Sequence, residues 1–360
     1  MQGEAPGSAE LPPPALEEVS KGVFAYVQLD GSWGLNNTGF IASGQSLIAI
    51  DTCFTERRAR AFRDAIRSVS GLPVKTLVNT HHHGDHTHGN FVFRDEALIV
   101  GHELCRKEVI ETGLGTKALF PGVDWGEIEV APPFVTFENW MALYSDDLRV
   151  ELVYVGPAHT TNDILVWLPE RRIVFTGDII FNGGTPFALM GSIAGWLEAL
   201  ERLRSLGAER IVPGHGPVCG PDAIDDAVGY LRFVQDIASK GYEGGLSPLE
   251  AARETDLGRF AELLDPERLA GNLHRAYSEL GGEPRGVALS LPQAFADMVA
   301  YNDGQMPRCL GSVSDSRQSA PRPRYARGRV DARPRHVPRL LGPDRRPRCR
   351  RASAKTRPRS

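Results

Sequence analysis

The feature that most constrains this chain is a six-residue run, His81-His82-His83-Gly84-Asp85-His86, placed directly behind the apolar segment VKTLVN at 74–79. A short run of this kind, bounded by Pro and polar residues, predicts a buried strand. A strand that ends in four imidazoles and a carboxylate must converge on something that wants those donors, because buried polar groups without partners are costly. Imidazole suits divalent first-row metals, and carboxylate completes such sites. Residues 81 and 83 alternate, so both point to one side of an extended chain. Asp85 and His86 follow from the turn beyond. The pattern H-x-H-x-D-H thus supplies ligands for two ions from one segment.

Two ions need three more donors, and three candidates sit where further strands are expected to end. His159 lies in GPAHTTND after a strand read over 148–156, Asp178 in FTGD closing a strand over 171–177, and His215 in VPGHG after a strand over 209–213. A lone histidine is ordinarily a hydrogen-bonded core or surface residue. Agreement among four separate segments is what turns these into a ligand set. His82, His88, His102, His274 and His336 are read as non-ligands. Metal-bound histidines usually donate their second ring nitrogen to a carboxylate or carbonyl. Asp51, closing an apolar run at 46–50, is the first choice for that task, with Thr80 and Asp163 behind it.

The rest of the chain gives the frame. The Pro-rich stretch 1–18 reads as a mobile leader. Strands are expected over 22–29, 39–43 and 46–51, the last two joined by a Gly44-Gln45 hairpin. The segment 55–71 reads as a helix capped by Thr55. In the middle, strands over 148–156, 163–169 and 171–178 precede a helix at 191–207. Strand groups separated by helices suggest two sheets with helices outside. After about 220 the pattern is helical, with a helix at 222–241 and a capping box at Ser247-Pro248-Leu249-Glu250. No internal repeat was found. The division is a leader 1–18, an α/β domain 19–220, a helical part 221–311 packed on it, and a tail 312–360.

The segments THHHGDH, GPAHTTND, FTGD and VPGHG, in this order, resemble the successive motifs of the metallo-β-lactamase superfamily. That resemblance implies an αββα sandwich carrying two metal ions at one edge of its sheets, here with a helical C-terminal extension. It places His81, His83 and His159 at one ion, Asp85, His86 and His215 at the other, and Asp178 between them. An Asp at 178, where some members carry Cys, makes the chain similar to the glyoxalase II type. Two Zn2+ are the expected cofactors, with Fe or Mn as alternatives. Asp85, Asp178 and Asp51 are the candidate catalytic residues, Asp51 as the partner that orients a metal-bound histidine.

A dinuclear site can activate water and polarise a carbonyl, so no Ser or Cys nucleophile is needed. None of the sequence signatures for a nucleophilic serine elbow or a phosphate-binding loop is present. A narrower resemblance runs over 18–311 through GVFAYVQLDGSWGLNN, PGVDWGEIE, VGPAHTTNDILVWLPE, TPFALMGSIAG and AYNDGQMPRCL. These stretches are similar to second-ring cyclases and thioesterases of aromatic polyketide pathways. The resemblance implies an intramolecular aldol closure with dehydration, thioester hydrolysis, and a polyketide presented by an acyl carrier protein. A bulky aromatic substrate needs an apolar pocket, for which Trp33, Trp125, Phe187, Met190 and Tyr301 are the candidates. A generic glyoxalase II-like thioester or lactone hydrolase is the alternative. A nuclease and a non-catalytic metal-binding module are the remaining readings.

Charge bears on the nuclease. The net −4 conceals a split: 15 Arg and one Lys against three Asp make the tail +13, leaving −17 on residues 1–311. An acidic body does not suit a nucleic-acid surface. The tail reads as a solvated arm for nucleic acid or membrane surfaces, as a tail without a task, or, the preferred reading, as out-of-frame read-through beginning after about 311. Five scattered Cys argue against a disulfide framework and for a reducing compartment. With no signal peptide and no apolar stretch near 18 residues, a cytoplasmic protein without membrane contact is expected. An open apolar face on the 222–241 helix would permit a homodimer.

Overall fold

The computed structural model describes residues 13–28 and 30–311. The tail 312–360, with His336 and Cys349, and most of the expected leader lie outside these residues. Two β-sheets form the centre. The first has seven strands in sequential order: β1 (Ala15–Ser20), β2 (Val23–Val27), β3 (Thr38–Ile41), β4 (Leu47–Ile50), β5 (Val74–Val78), β6 (Leu98–His102) and β7 (Val135–Phe137). The second has five: β8 (Trp140–Ser145), β9 (Leu148–Tyr154), β10 (Ile164–Leu168), β11 (Ile173–Phe181) and β12 (Arg210–His215), with β8 and β12 at its edges.

Each strand's two faces explain the layering. Val23, Ala25, Val27, Ile48 and Ile50 of the first sheet meet Val150, Leu152, Ile164 and Val166 of the second in the inter-sheet core. The opposite face of the first sheet packs Phe40, Ala49 and Leu77 on Ala59, Phe62 and Ile66 of α1 (Glu56–Val69). Those three recur at helical spacing, and Thr55 caps the helix by accepting from the Arg58 amide, as its sequence predicts. Three short helices follow: α2 (Gly84–Thr87), α3 (Glu103–Thr112) and α4 (Thr116–Leu119). The outer face of the second sheet is covered by α5 (Ile193–Ser205), α6 (Asp222–Glu243), α7 (Pro248–Glu254), α8 (Arg268–Leu280) and α9 (Leu291–Tyr301). The result is an αββα sandwich with a helical C-terminal extension, and the described residues lie within one compact unit.

Three expectations are corrected. The leader does not run to 18: Ala15–Ser20 is an edge strand paired antiparallel with Val23–Val27, with Val19 buried on one face and Leu16 half-buried on the other. The apolar face of α6 is not open to a second copy. Ile224, Ala227, Leu231, Val234 and Ala238 are buried against the chain's own helices. Asp178 does not close its strand, because β11 continues to Phe181. A register shift between Phe175 and Gly177, and another between Gly177 and Phe181, lets the backbone bend there. The capping box at Ser247 is present.

Candidate metal centre

The segment behind β5, the bent interior of β11, the end of β12 and the loop before β10 bring the seven expected donors together. His81, His83, His159 and Asp178 form one group, and Asp85, His86 and His215 a second, with donor atoms inside each lying within 4.8 Å of one another. Asp178 touches both. Its carboxylate oxygens lie 3.1 Å from His86 Nε2, 3.2 Å from His159 Nε2, 3.4 Å from His215 Nε2 and 3.8 Å from His81 Nε2. His215 Nε2 is also 3.4 Å from Asp85. Two glycines permit this convergence. Gly177 takes φ +49°, and a Cβ on Gly214 would fall 2.0 Å from the Asp178 carboxylate.

The far side of each ring is fixed. His86 Nδ1 donates to Asp51 at 2.8 Å, and His215 Nδ1 donates to the Gly31 carbonyl at 3.0 Å. His159 Nδ1 donates to the Phe187 carbonyl. His81 Nδ1 lies 3.1 Å from the Thr80 hydroxyl, which itself donates to Asp51. These bonds select the tautomers that aim four Nε2 atoms inward, while His83 approaches through Nδ1, 2.8 Å from His159 Nε2. Asp51 organises the centre, receiving the Thr80 amide and hydroxyl at 2.7 Å each besides His86. It does so from a left-handed conformation, φ +58°, that non-glycine residues rarely adopt. Asp163, expected near a ligand, instead accepts from the Thr160 amide and hydroxyl and shapes the loop that carries His159.

The donor set fits divalent metal. His81 Nε2, His86 Nε2 and Asp178 Oδ1 are buried without hydrogen-bond partners, an expensive arrangement unless a cation takes their lone pairs. Burial drives the His81 and His83 pKa values well below the usual imidazole range, so both offer neutral nitrogen. For His215, burial opposes the charged form, but Asp178 and Asp85 outweigh it and lift the pKa to about 9. His86 is raised likewise by Asp178, Asp51 and Asp85 against its burial. Asp178 is buried, yet the surrounding histidines hold it well below the carboxylate range. The carboxylates therefore demand positive charge at their centre. His82, bonded to Asn162, His102, stacked on Tyr154, and His274, paired with Asp297, stand outside the donor groups.

The model of the Metallo-beta-lactamase superfamily matches residues 31–215, the span from the early loop to the last ligand. The chain belongs to this superfamily. Its members are generally metal-dependent hydrolases, and the His/Asp site is the part of the chain that corresponds to that property. Among known proteins, the chain is 31% identical over 205 residues to the 2,4-dinitroanisole O-demethylase subunit alpha of Nocardioides sp. strain JS1661, covering 55% of this chain and 54% of that one. It is 28% identical over 142 residues to the hydroxyacylglutathione hydrolase of Rhodospirillum rubrum, covering 39% and 48%. It spans about half the length of these relatives. The fold is shared with the sec-alkylsulfatase Pisa1 from Pseudomonas sp., with a TM-score of 0.59 and 18% identity over 74% of this chain and 50% of that one.

From the superfamily's metal edge opens a cavity of about 420 Å³, lined by ligands His83, Asp85, His159, Asp178 and His215 on one side and by apolar side chains elsewhere. Trp33, Phe187 and Met190 line it, as expected. Trp125 and Tyr301 do not. Trp125 sits one layer back, packed edge-on at 4.6 Å to Phe54, and it is Phe54 that faces the cavity. Tyr301 ends α9, whereas Leu291, Pro292 and Phe295 of its first turns reach the cavity; six residues of rise, roughly 9 Å, separate Phe295 from Tyr301. Phe120, Leu119, Phe181 and Arg268 are wall residues the sequence reading missed. Nothing in their local pattern marks them, since each belongs to a segment that only the tertiary fold brings here.

Proposed function

We propose that this protein is a dinuclear metal-dependent hydrolase and cyclase for a bulky aromatic substrate, a second-ring polyketide cyclase and thioesterase. The observation that carries the reading is the cavity wall. Trp33, Phe54, Phe120, Phe187 and Phe295 surround a largely apolar space that opens directly onto the metal ligands. Trp33 alone contacts three of these rings, at 5.2 Å to Phe187, 5.9 Å to Phe120 and 6.3 Å to Phe295. Such a wall holds a flat, partly cyclised aromatic body and excludes water from it. The relative named for 2,4-dinitroanisole, an aromatic ether, supports an aromatic substrate class; the one named for hydroxyacylglutathione supports thioester hydrolysis.

When bound, two divalent ions, with zinc proposed, supply Lewis acidity for a carbonyl and activation of water. The chain's residues do the rest. His81, His83 and His159 would hold one ion, Asp85, His86 and His215 the other, and Asp178 would join them. Asp51 fixes the His86 tautomer and, through Thr80, braces His81. The aromatic wall orients the chain so that its reacting carbonyl meets the ligand edge, the kind of positioning that lowers the barrier without adding a chemical group. An acyl carrier protein would deliver the thioester.

The test is a paired assay of the full-length protein, as purified, against carrier-bound aromatic polyketide thioesters and against small acyl thioesters. Cyclised, released product from the first is expected. Turnover of small thioesters alone would leave the simpler glyoxalase II-like hydrolase and remove the cyclase.

A further inference from the structure

We propose that Arg268, at the start of α8, is a positioning residue for the half of the metal centre that contains His215, acting through Phe181. The proposal rests on the metal-centre reading above and concerns a side chain outside the ligand set. Arg268 is 2% exposed and lines the cavity beside Asp178 and His215. Its guanidinium lies 4.2 Å from the Trp33 ring centroid and 5.1 Å from that of Phe181. One hydrogen bond, donated to the Thr185 carbonyl at 2.9 Å, and an ion pair with Asp265 at 2.8 Å hold its plane.

Phe181 carries the effect onward. Its ring stacks on His215 at 5.0 Å with an interplanar angle of 7°. His215 has one hydrogen bond away from the centre, to the Gly31 carbonyl. A single such bond leaves an imidazole free to swing about it; a parallel ring on its face removes that freedom. His159 is held differently, by the Phe187 carbonyl and by an edge contact with Trp196 at 5.6 Å, besides its edge contact with Phe181. Disturbing the Arg268–Phe181 contact therefore bears harder on His215 than on His159.

The choice of arginine supports a positioning task. A buried ion pair is a weak source of stability, because desolvation cancels most of the attraction. An aliphatic side chain would anchor α8 as well. What guanidinium adds is a rigid plane attractive to two aromatic faces at once. Pairing with Asp265 cancels its charge, so it does not repel ions bound next to it. The neighbouring Glu267 accepts the Trp33 indole N–H at 2.8 Å, fixing the other ring of the pile. The helical extension thus reaches the metal centre through the segment 265–268.

The experiment is chelator competition on the loaded full-length protein, with retained metal counted by elemental analysis and folding followed by circular dichroism. In Arg268→Met, one equivalent should leave at about 10–100-fold lower chelator than in the parent, the range seen when outer partners of metal ligands are removed. The other equivalent should follow the parent curve. The early-leaving equivalent should be the one missing from His215→Ala. Phe181→Leu should reproduce the split and Phe181→Tyr, which keeps the stacked ring, should abolish it. That pair leaves the Arg268–Asp265 ion pair intact and decides the matter if Arg268→Met fails to fold. Two equivalents released together, or neither moved in folded variants, would overturn the role of Arg268. A parent that holds no metal would overturn the metal-centre reading itself.

Discussion

The ligand edge and the aromatic wall share one cavity but are built in opposite ways. The seven ligands come from four short motifs, recognisable in the sequence because they agree as a set. The wall draws Trp33, Phe54, Phe120, Phe187, Arg268 and Phe295 from segments spread over about 260 residues of chain, and of these only Trp33 and Phe187 were named from the sequence. The difference is physical. A buried imidazole or carboxylate needs a partner, so clustered polar residues behind an apolar strand have few explanations. A phenylalanine is buried for many reasons, and its spacing does not say which surface it meets. The chemistry of this protein is therefore written locally and its specificity is written in the fold.

The sharpest break of that comparison is Asp178→Ala. Asp178 lies within 3.8 Å of four histidines and is the one carboxylate shared by both donor groups. Its loss should drop bound metal from about two equivalents to one or fewer and lower turnover of every substrate by at least roughly 10²-fold, the scale of a lost electrostatic contact to a reacting centre. Elemental analysis beside single-substrate kinetics checks it. Full metal content with full activity would mean that the edge is not the chemical half.

Asp51→Ala should come next. It removes the acceptor of His86 Nδ1 and of two Thr80 donors without touching an inward nitrogen. Metal affinity should fall about 10–100-fold. Asp51→Asn should fall less, because an amide oxygen still accepts from His86. A chelator titration distinguishes the two variants.

Asp51 also marks how far the sequence could be read. Its place after an apolar run made it the first choice for an outer partner, and the geometry agrees. The strands leading to ligands were legible because the polar clusters behind them are unusual, whereas β6, β7, β8 and α3, which carry no ligand, went unread. Trp125 and Tyr301 were misplaced for the reason that hid Phe54 and Phe295. An aromatic residue's neighbours in sequence do not reveal whether it faces a cavity or backs the residue that does. The edge strand at Ala15–Ser20 was hidden by the prolines before it, although its Leu16 and Val19 pack into the cores on the two sides of the sheet.

On the other side of the comparison, Phe120→Ala and Phe295→Ala should act on specificity. Each opens the wall while leaving every ligand in place. The kcat/KM for a bulky aromatic thioester should fall about 10-fold or more, the effect of losing apolar contacts worth one to three kcal/mol. For a small acyl thioester the fall should be clearly less. Equal losses on both substrates would place the wall in the chemistry and dissolve the division of labour.

The smallest expected effect joins the two halves. Asp265 faces Arg268 from the extension, and burial first, with Glu267 and Asp30 adding, raises its carboxyl from 3.8 to about 6 despite Arg268 and His215. Because the folded value lies above the unfolded one, its contribution to stability is complete below about 3.8 and is lost as pH rises through about 6. Asp265→Asn cannot titrate, so in metal-free protein the parent should lose on the order of 1–3 kcal/mol relative to the variant across that window. Denaturant melts at several pH values measure the difference. Since His215 already lowers the Asp265 value, ions bound beside His215 should lower it further and move the loss to more acidic pH in the loaded protein. A window unmoved by metal would show that the extension touches the metal centre through packing alone, by way of Arg268 and Phe181, with no electrostatic link between them.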